Sequence, residues 1–171
     1  MSQPECLYSL AQVDAALETM AAKINADYAG ASSPLLVLVL LKGALVTAGA
    51  LLPKLKVPLE VDYLHASRYR DNSAGDELRW LAKPHSELAG RTLLIVDDIL
   101  DQGVTLREVV NYCLDQQASS VSTAVLVHKQ LTKPAVVEAD YVGLTVPDRY
   151  VYGFGMDNNE LDRNAPGIFT L

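Results

Sequence analysis

The chain is short of the residues that would take it away from an ordinary folded domain. It has two cysteines, Cys6 and Cys113, at a separation that matches no metal-ligand pattern. Neither a disulfide framework nor a zinc cluster is expected, and the setting reads as reduced and cytoplasmic. The three histidines, His65, His85 and His128, share no metal spacing either. Positive charge is scarce: 14 Lys and Arg face 21 Asp and Glu, a formal charge of −7, which argues against a broad nucleic-acid surface. The one long apolar run, 34–44, is broken by Lys42 and Gly43 and is too short to cross a bilayer, so no membrane span is expected. Met-Ser-Gln-Pro-Glu-Cys at 1–6 has no basic start before an apolar stretch and is not expected to be a signal peptide. There is no internal repeat, low-complexity tract or linker. What remains is 171 residues, half of them hydrophobic, enough for one domain with a full core.

The most informative stretch is 93–106, Leu-Leu-Ile-Val-Asp-Asp-Ile-Leu-Asp-Gln-Gly-Val-Thr-Leu. Its four leading apolar residues read as a buried strand that stops at Asp97 and Asp98. A third acid, Asp101, follows, then Gly103, Thr105 and a helical pattern. Strand, acidic tip, Gly-containing loop and helix start describe a ligand site at the carboxyl edge of an α/β sheet. Free N–H groups of the loop and helix start attract phosphate. Carboxylates suit ribose hydroxyls and Mg²⁺, which prefers oxygen. A sugar phosphate with a metal meets all these demands, and local cations and N–H groups outweigh the global negative charge.

The rest of the chain alternates strands and helices. Apolar spacing through Leu10, Val13, Leu17, Met20 and Ile24 predicts a helix over 9–28, with Ser9 as N-cap and Gly30 as stop. A first core strand is expected at 35–41, a short helix at 43–52 ended by Pro53, and a strand at 59–64. The chain turns polar at 67–75 and strand-like again at 77–81. The motif strand spans 92–96 and its helix 104–117. Further strands are expected at 121–128 and 141–144, with an irregular tail beyond Pro147. This order predicts a mainly parallel α/β sheet flanked by helices. The segments starting at Leu59 and Glu77 look antiparallel, as a flap.

The run Val-Asp-Asp-Ile-Leu-Asp-Gln-Gly-Val-Thr-Leu at 96–106 resembles the phosphoribosyl-diphosphate (PRPP) motif of the type I phosphoribosyltransferases. Leu41-Lys42-Gly43-Ala44 resembles the pyrophosphate loop of the purine enzymes of that family, in which the peptide before the Lys is often cis. Ser67-Arg68-Tyr69-Arg70 falls at the family's flexible catalytic loop, which closes to exclude water from an oxocarbenium-like state. Its two arginines suit a pyrophosphate clamp. The segment 146–164, with Pro-Asp, Gly-x-Gly-x-Asp and Arg-Asn, resembles the purine hood of the hypoxanthine–guanine phosphoribosyltransferases.

The resemblance implies a single type I phosphoribosyltransferase domain over 1–171, with a flap at about 66–80 and a small C-terminal hood at about 146–171 joined by an N-terminal contribution. It implies transfer of ribose 5-phosphate from PRPP to hypoxanthine or guanine, giving IMP or GMP and pyrophosphate. Asp97, Asp98 and the 101–105 loop (Asp101, Gln102, Gly103, Val104 and Thr105) would hold ribose and 5-phosphate, and Asp101 would be the base near purine N7. Leu41, Lys42, Gly43, Ser67, Arg68, Tyr69 and Arg163 would face pyrophosphate. Lys129 would donate to the purine 6-oxo group, Tyr150 would stack on the ring, and the backbone of Val151 would read the base edge. Asp97, Asp98 and Asp157 would hold Mg²⁺, Asp157 beside the purine.

Two positions depart from the family pattern. Gln102 stands where Thr is usual, and Val104 replaces a frequent Lys or Arg. Alternatives are a xanthine-preferring relative and a regulator of the same fold that senses PRPP without turnover. The preference among hypoxanthine, guanine and xanthine stays open at this point. A homodimer or homotetramer is expected by resemblance alone, with no nucleic-acid or membrane partner.

Overall fold

The computed structural model describes residues 4–68 and 78–171. Its elements in chain order are β1 (Glu5–Ser9), α1 (Leu10–Asp27), β2 (Leu35–Leu41), α2 (Ala44–Leu51), a 3₁₀ turn (Leu52–Lys54), β3 (Leu59–Arg68), β4 (Leu78–Ala82), β5 (Thr92–Leu100), α3 (Val104–Asp115), β6 (Ser120–Gln130), β7 (Tyr141–Pro147), β8 (Val151–Tyr152) and β9 (Gly167–Thr170).

Six strands form the main sheet in the order β4-β3-β2-β5-β6-β7. The centre is β2, seven consecutive Leu and Val residues of which six are buried. A strand apolar on both faces needs cover on both faces, as in a parallel sheet under helices. It pairs in parallel with β3 on one side and β5 on the other. The crossover through α2 runs from β2 to β3, and that through α3 runs from β5 to β6, in opposite directions along the sheet. Right-handed connections then place the two helices on opposite faces and leave a crevice between β2 and β5 at their carboxyl ends.

Helix α1 starts at a complete capping box. The Ser9 hydroxyl accepts from Gln12 N–H, and Gln12 Oε1 accepts from Ser9 N–H at 2.9 Å. Its buried stripe, Val13, Leu17, Met20, Ala21 and Ile24, packs against β6 and β7. The helix closes at Tyr28, and Gly30 takes φ +74° in the turn beyond.

Several boundaries differ from the sequence expectation. The motif strand does not stop at the acids: β5 runs to Leu100, because β6 keeps pairing with it through Ile99↔Val127 and Leu100↔His128. Strand β3 is longer than expected and parallel to β2, so it belongs to the sheet core rather than to a flap, and among the described residues β4 is the antiparallel strand of this main sheet. Pro53 lies inside the 3₁₀ turn that continues α2. Most of all, the tail is irregular over 153–166 but carries two short strands. Strands β8 and β9 join β1 in a second, three-stranded antiparallel sheet. Both ends of the chain meet there, and stacked Tyr152 and Phe169 rings 5.7 Å apart reinforce it. Tyr8 Oη ties it to the main sheet by donating to Thr145 O in β7 at 2.7 Å.

Candidate active site

The carboxyl ends of β2 and β5 build the floor of the crevice. Asp97 and Asp98 ride on β5 and are half-buried. Each is turned back on its own strand: Asp98 N–H donates to Asp97 Oδ1 at 2.9 Å, and Ile99 N–H to Asp98 Oδ1 at 2.8 Å. Burial pushes the Asp97 carboxyl well above the usual range, and the neighbouring Asp98 charge adds to this. Burial also raises Asp98, against the pull of its hydrogen bonds and of Arg163. Two adjacent, half-buried acids favour binding partners that donate hydrogen bonds or carry positive charge.

Beyond them the chain turns through Asp101, Gln102 and Gly103 into α3. Gly103 has φ +79°, the left-handed geometry that glycine adopts without strain, and no side chain caps the helix. Among the described residues no side-chain cap covers the first turn of this 12-residue helix, which lies at the edge of a cavity of about 290 Å³. Gly43, Asp97, Asp98, Asp101, Gln102, Gly103, Val104 and Thr105 line this cavity. Among the described residues no Lys or Arg does, so the backbone N–H groups and the helix dipole are the features there suited to an anion. The β6–β7 connection buttresses the loop. Val136 N–H donates to Gln102 O at 2.9 Å, and a Cβ on Gly103 would lie 2.8 Å from Val137 Cγ1.

On the β2 side, the Leu41–Lys42 peptide is cis and Gly43 leads into α2. Gly43 is required for closeness rather than for an unusual φ, since a Cβ there would overlap the Asp98 carboxylate. The hood reaches the same loop from above. Gly155 has φ +106°, and a Cβ on it would overlap Gly43 O. Arg163 is fixed under the hood by donating to Gly155 O at 2.8 Å and pairing with Asp157 Oδ1 at 3.0 Å. Lys42 Nζ pairs with Glu160 at 2.7 Å.

Lys129 is joined to the cavity through Asp101, and Tyr150 belongs to the hood. Lys129 closes β6 and donates to Asp101 Oδ2 at 3.0 Å, its side chain 12% exposed against 47% for the acid. Tyr150 precedes β8, half exposed, with its hydroxyl donating to Asp157 O at 2.9 Å. Val151 is buried and pairs with Thr170. Ser67 and Arg68 end β3, whereas Tyr69 and Arg70 lie outside the described residues.

Of the residues that the sequence reading marked, two groups meet at this crevice, while Tyr150 and Val151 lie in the C-terminal hood and Tyr69 falls outside the described residues. Asp97, Asp98 and the 101–105 loop form the cavity, with Lys129 joined to it through Asp101. Lys42, Gly43, Asp157 and Arg163 form a charged rim beneath the hood. Glu160 and the Val136–Val137 buttress were not foreseen. Glu160 sits in a polar tail where any acid reads as solvated, and no local pattern announces that a distant loop will seat on Gly103. Among the described residues, no group of three or more His, Cys, Asp or Glu is arranged to hold a metal ion.

Residues 7–159 match the model of the phosphoribosyl transferase domain. The chain is 31% identical over 153 residues to a hypoxanthine-guanine phosphoribosyltransferase of Staphylococcus aureus, covering 89% of this chain and 84% of that protein. Its fold is similar to a solved hypoxanthine phosphoribosyltransferase from Staphylococcus aureus, with TM-score 0.90 and 29% identity over 98% of this chain and 90% of the other. A hypoxanthine-guanine phosphoribosyltransferase from Bacillus anthracis superposes with TM-score 0.86 at 26% identity, covering 98% and 99%. With the acidic β5 tip, the open α3 start and the hood all in one crevice, the chain belongs to the phosphoribosyltransferase family and carries its type I fold.

Proposed function

We propose that the protein is a purine-salvage enzyme that moves the 5-phosphoribosyl group of PRPP onto hypoxanthine or guanine, releasing pyrophosphate and IMP or GMP. The observation that carries this reading is the cavity in which Asp97 and Asp98 share a lining with the Gly103-led start of α3, with Lys129 joined to it through Asp101. The N–H groups of Gly103, Val104 and Thr105, with the Thr105 hydroxyl and the Gln102 amide, hold the 5-phosphate. Asp97 and Asp98 accept from the ribose hydroxyls. Lys42, the Leu41 and Gly43 backbone, Ser67, Arg68, Tyr69 and Arg163 serve the pyrophosphate.

Bond breaking between C1 and pyrophosphate puts positive charge on the ribose ring and negative charge on the leaving group. Fixed carboxylates beneath the ring and cations around the leaving group stabilise both. Asp101 accepts or shares the purine N7 proton, which favours the tautomer whose N9 attacks. Lys129 donates to the 6-oxo group, Tyr150 stacks on the base, and the Val151 backbone reads its edge.

The donor set fits Mg²⁺. This ion usually keeps water and takes one or two carboxylates along with substrate phosphates, so a preformed cage is unnecessary. The desolvated Asp97–Asp98 pair would gain from a cation. These acids and Asp157 would hold the ion, which would neutralise developing pyrophosphate charge. The location is read as cytoplasmic and the assembly as a homodimer or homotetramer, for which exposed Leu45, Val61 and Tyr63 on α2 and β3 supply apolar surface.

The test is a spectrophotometric assay with PRPP and Mg²⁺ against hypoxanthine, guanine, xanthine, adenine and uracil. Turnover of hypoxanthine or guanine without adenine is expected. Xanthine alone would move the specificity, and PRPP binding without turnover of any base would make the protein a regulator.

A further inference from the structure

One oxygen of Glu160 stands between the two cations that the proposed function assigns to pyrophosphate. Glu160 Oε2 lies 2.7 Å from Lys42 Nζ and 3.6 Å from Arg163 Nη2. A phosphate oxygen bridging the same pair would need the same place. Among the described residues the carboxylate has no other hydrogen-bond or ion-pair partner.

The turn carrying Glu160 does not depend on that side chain. Asp157 Oδ2 accepts the Glu160 N–H at 3.0 Å, Asn158 and Leu161 exchange backbone hydrogen bonds of 2.9 and 3.0 Å, and Asn158 Nδ2 donates to Asp162 Oδ2 at 2.9 Å. This scaffold presents the carboxylate, while the carboxylate itself sits in solvent. Its side chain is 69% exposed and that of Lys42 57%, so water and salt screen the pair and an incoming polyanion displaces it at small cost.

We infer that Glu160 is an internal stand-in for pyrophosphate, a positioning residue that gathers Lys42 and Arg163 before PRPP binds, yields to PRPP, and competes again as pyrophosphate leaves. This rests on the functional reading above, which supplies the pyrophosphate role of the two cations. The physical consequence is a single anionic competitor that costs some affinity for PRPP and equally weakens the hold on product.

The test is calorimetric titration of the intact protein with inorganic pyrophosphate in excess Mg²⁺, alongside the KM for PRPP and for the base. It uses wild type, Glu160→Gln and Glu160→Ala. Both variants should bind pyrophosphate about two- to fivefold more tightly, the range of an exposed ion pair. The KM for PRPP should fall with it, while the KM for the base stays put. Unchanged or weaker pyrophosphate binding in both variants would overturn the stand-in. Wild type that binds neither pyrophosphate nor PRPP would overturn the functional reading as well, so the two failures are told apart.

Discussion

Replacing Gly43 by Ala sets two effects of known sign against each other. The residue has φ −59° and ψ −44°, ordinary right-handed helical values. Ala is therefore allowed there and should stabilise the fold by ~0.4–1 kcal/mol through the unfolded chain. The new Cβ, however, falls on the Asp98 carboxylate. To make room, Asp98 must release the 2.8 Å bond from Ile99 N–H, at ~1.5–3 kcal/mol for a charge-assisted hydrogen bond. Otherwise the loop must shift, at ~1–3 kcal/mol for overpacking. The net is a loss of roughly 1–2 kcal/mol, or roughly 2–8 °C in melting temperature for a chain of this size.

Function should suffer more than stability, because displacing Asp98 by an ångström disturbs the ribose site. The kcat/KM for PRPP should drop on the order of 100-fold. Gly49, in the same helix, has nothing within 4 Å of where its Cβ would be. Gly49→Ala is the control and should raise stability by ~1 kcal/mol with PRPP kinetics unchanged. Thermal melts and PRPP saturation curves on both variants decide the matter. Gly43→Ala with wild-type kcat/KM would refute the reasoning, since Asp98 would then have another place to go without loss.

Other perturbations have equally definite signs. Asp101→Asn keeps the shape and removes the proton acceptor, so kcat should fall about 10²-fold or more while PRPP binding by calorimetry holds. Unchanged turnover would remove Asp101 from the base role. Lys129→Ala should raise the KM for hypoxanthine and guanine, and robust adenine turnover by the unmutated protein would sink its assignment to the 6-oxo group. Burial acts to raise the Asp62 carboxyl, but backbone N–H groups of Ser86, Tyr63 and His85 outweigh it and hold its pKa below the ordinary aspartate value. Its contribution is therefore complete above that value and is lost as pH falls through the lower folded one. Asp62→Ala should cost ~2–4 kcal/mol at neutral pH, and the gap to wild type in urea melts should narrow in acid. A gap independent of pH would mean that packing, not charge, is what Asp62 supplies.

What the sequence determined by itself was the local grammar. The Leu and Val run of β2, the capping box at Ser9 and the Val-Asp-Asp to Gly-Val-Thr run are short-range patterns. Each fixes its own element, and the last also fixes the chemistry of an anion-binding turn. The resemblance of 96–106 and 146–164 to known motifs added the substrate class.

Tertiary structure decided what depends on partners far away in the chain. Strand β5 continues past two charged residues because β6 pairs with it. The tail yields β9 because residues 5–9 pair with one of its edges, and β8 because β9 offers the other, a pairing that two-residue and four-residue segments could not announce. Gly43 is needed because Asp98 lies against it, and Gly155 because Gly43 O does. Glu160 became part of the site only when the hood folded over Lys42. Periodicity reports a residue's own environment along the chain, whereas these contacts depend on how separate segments are brought together, and only the packed sheet and hood set that.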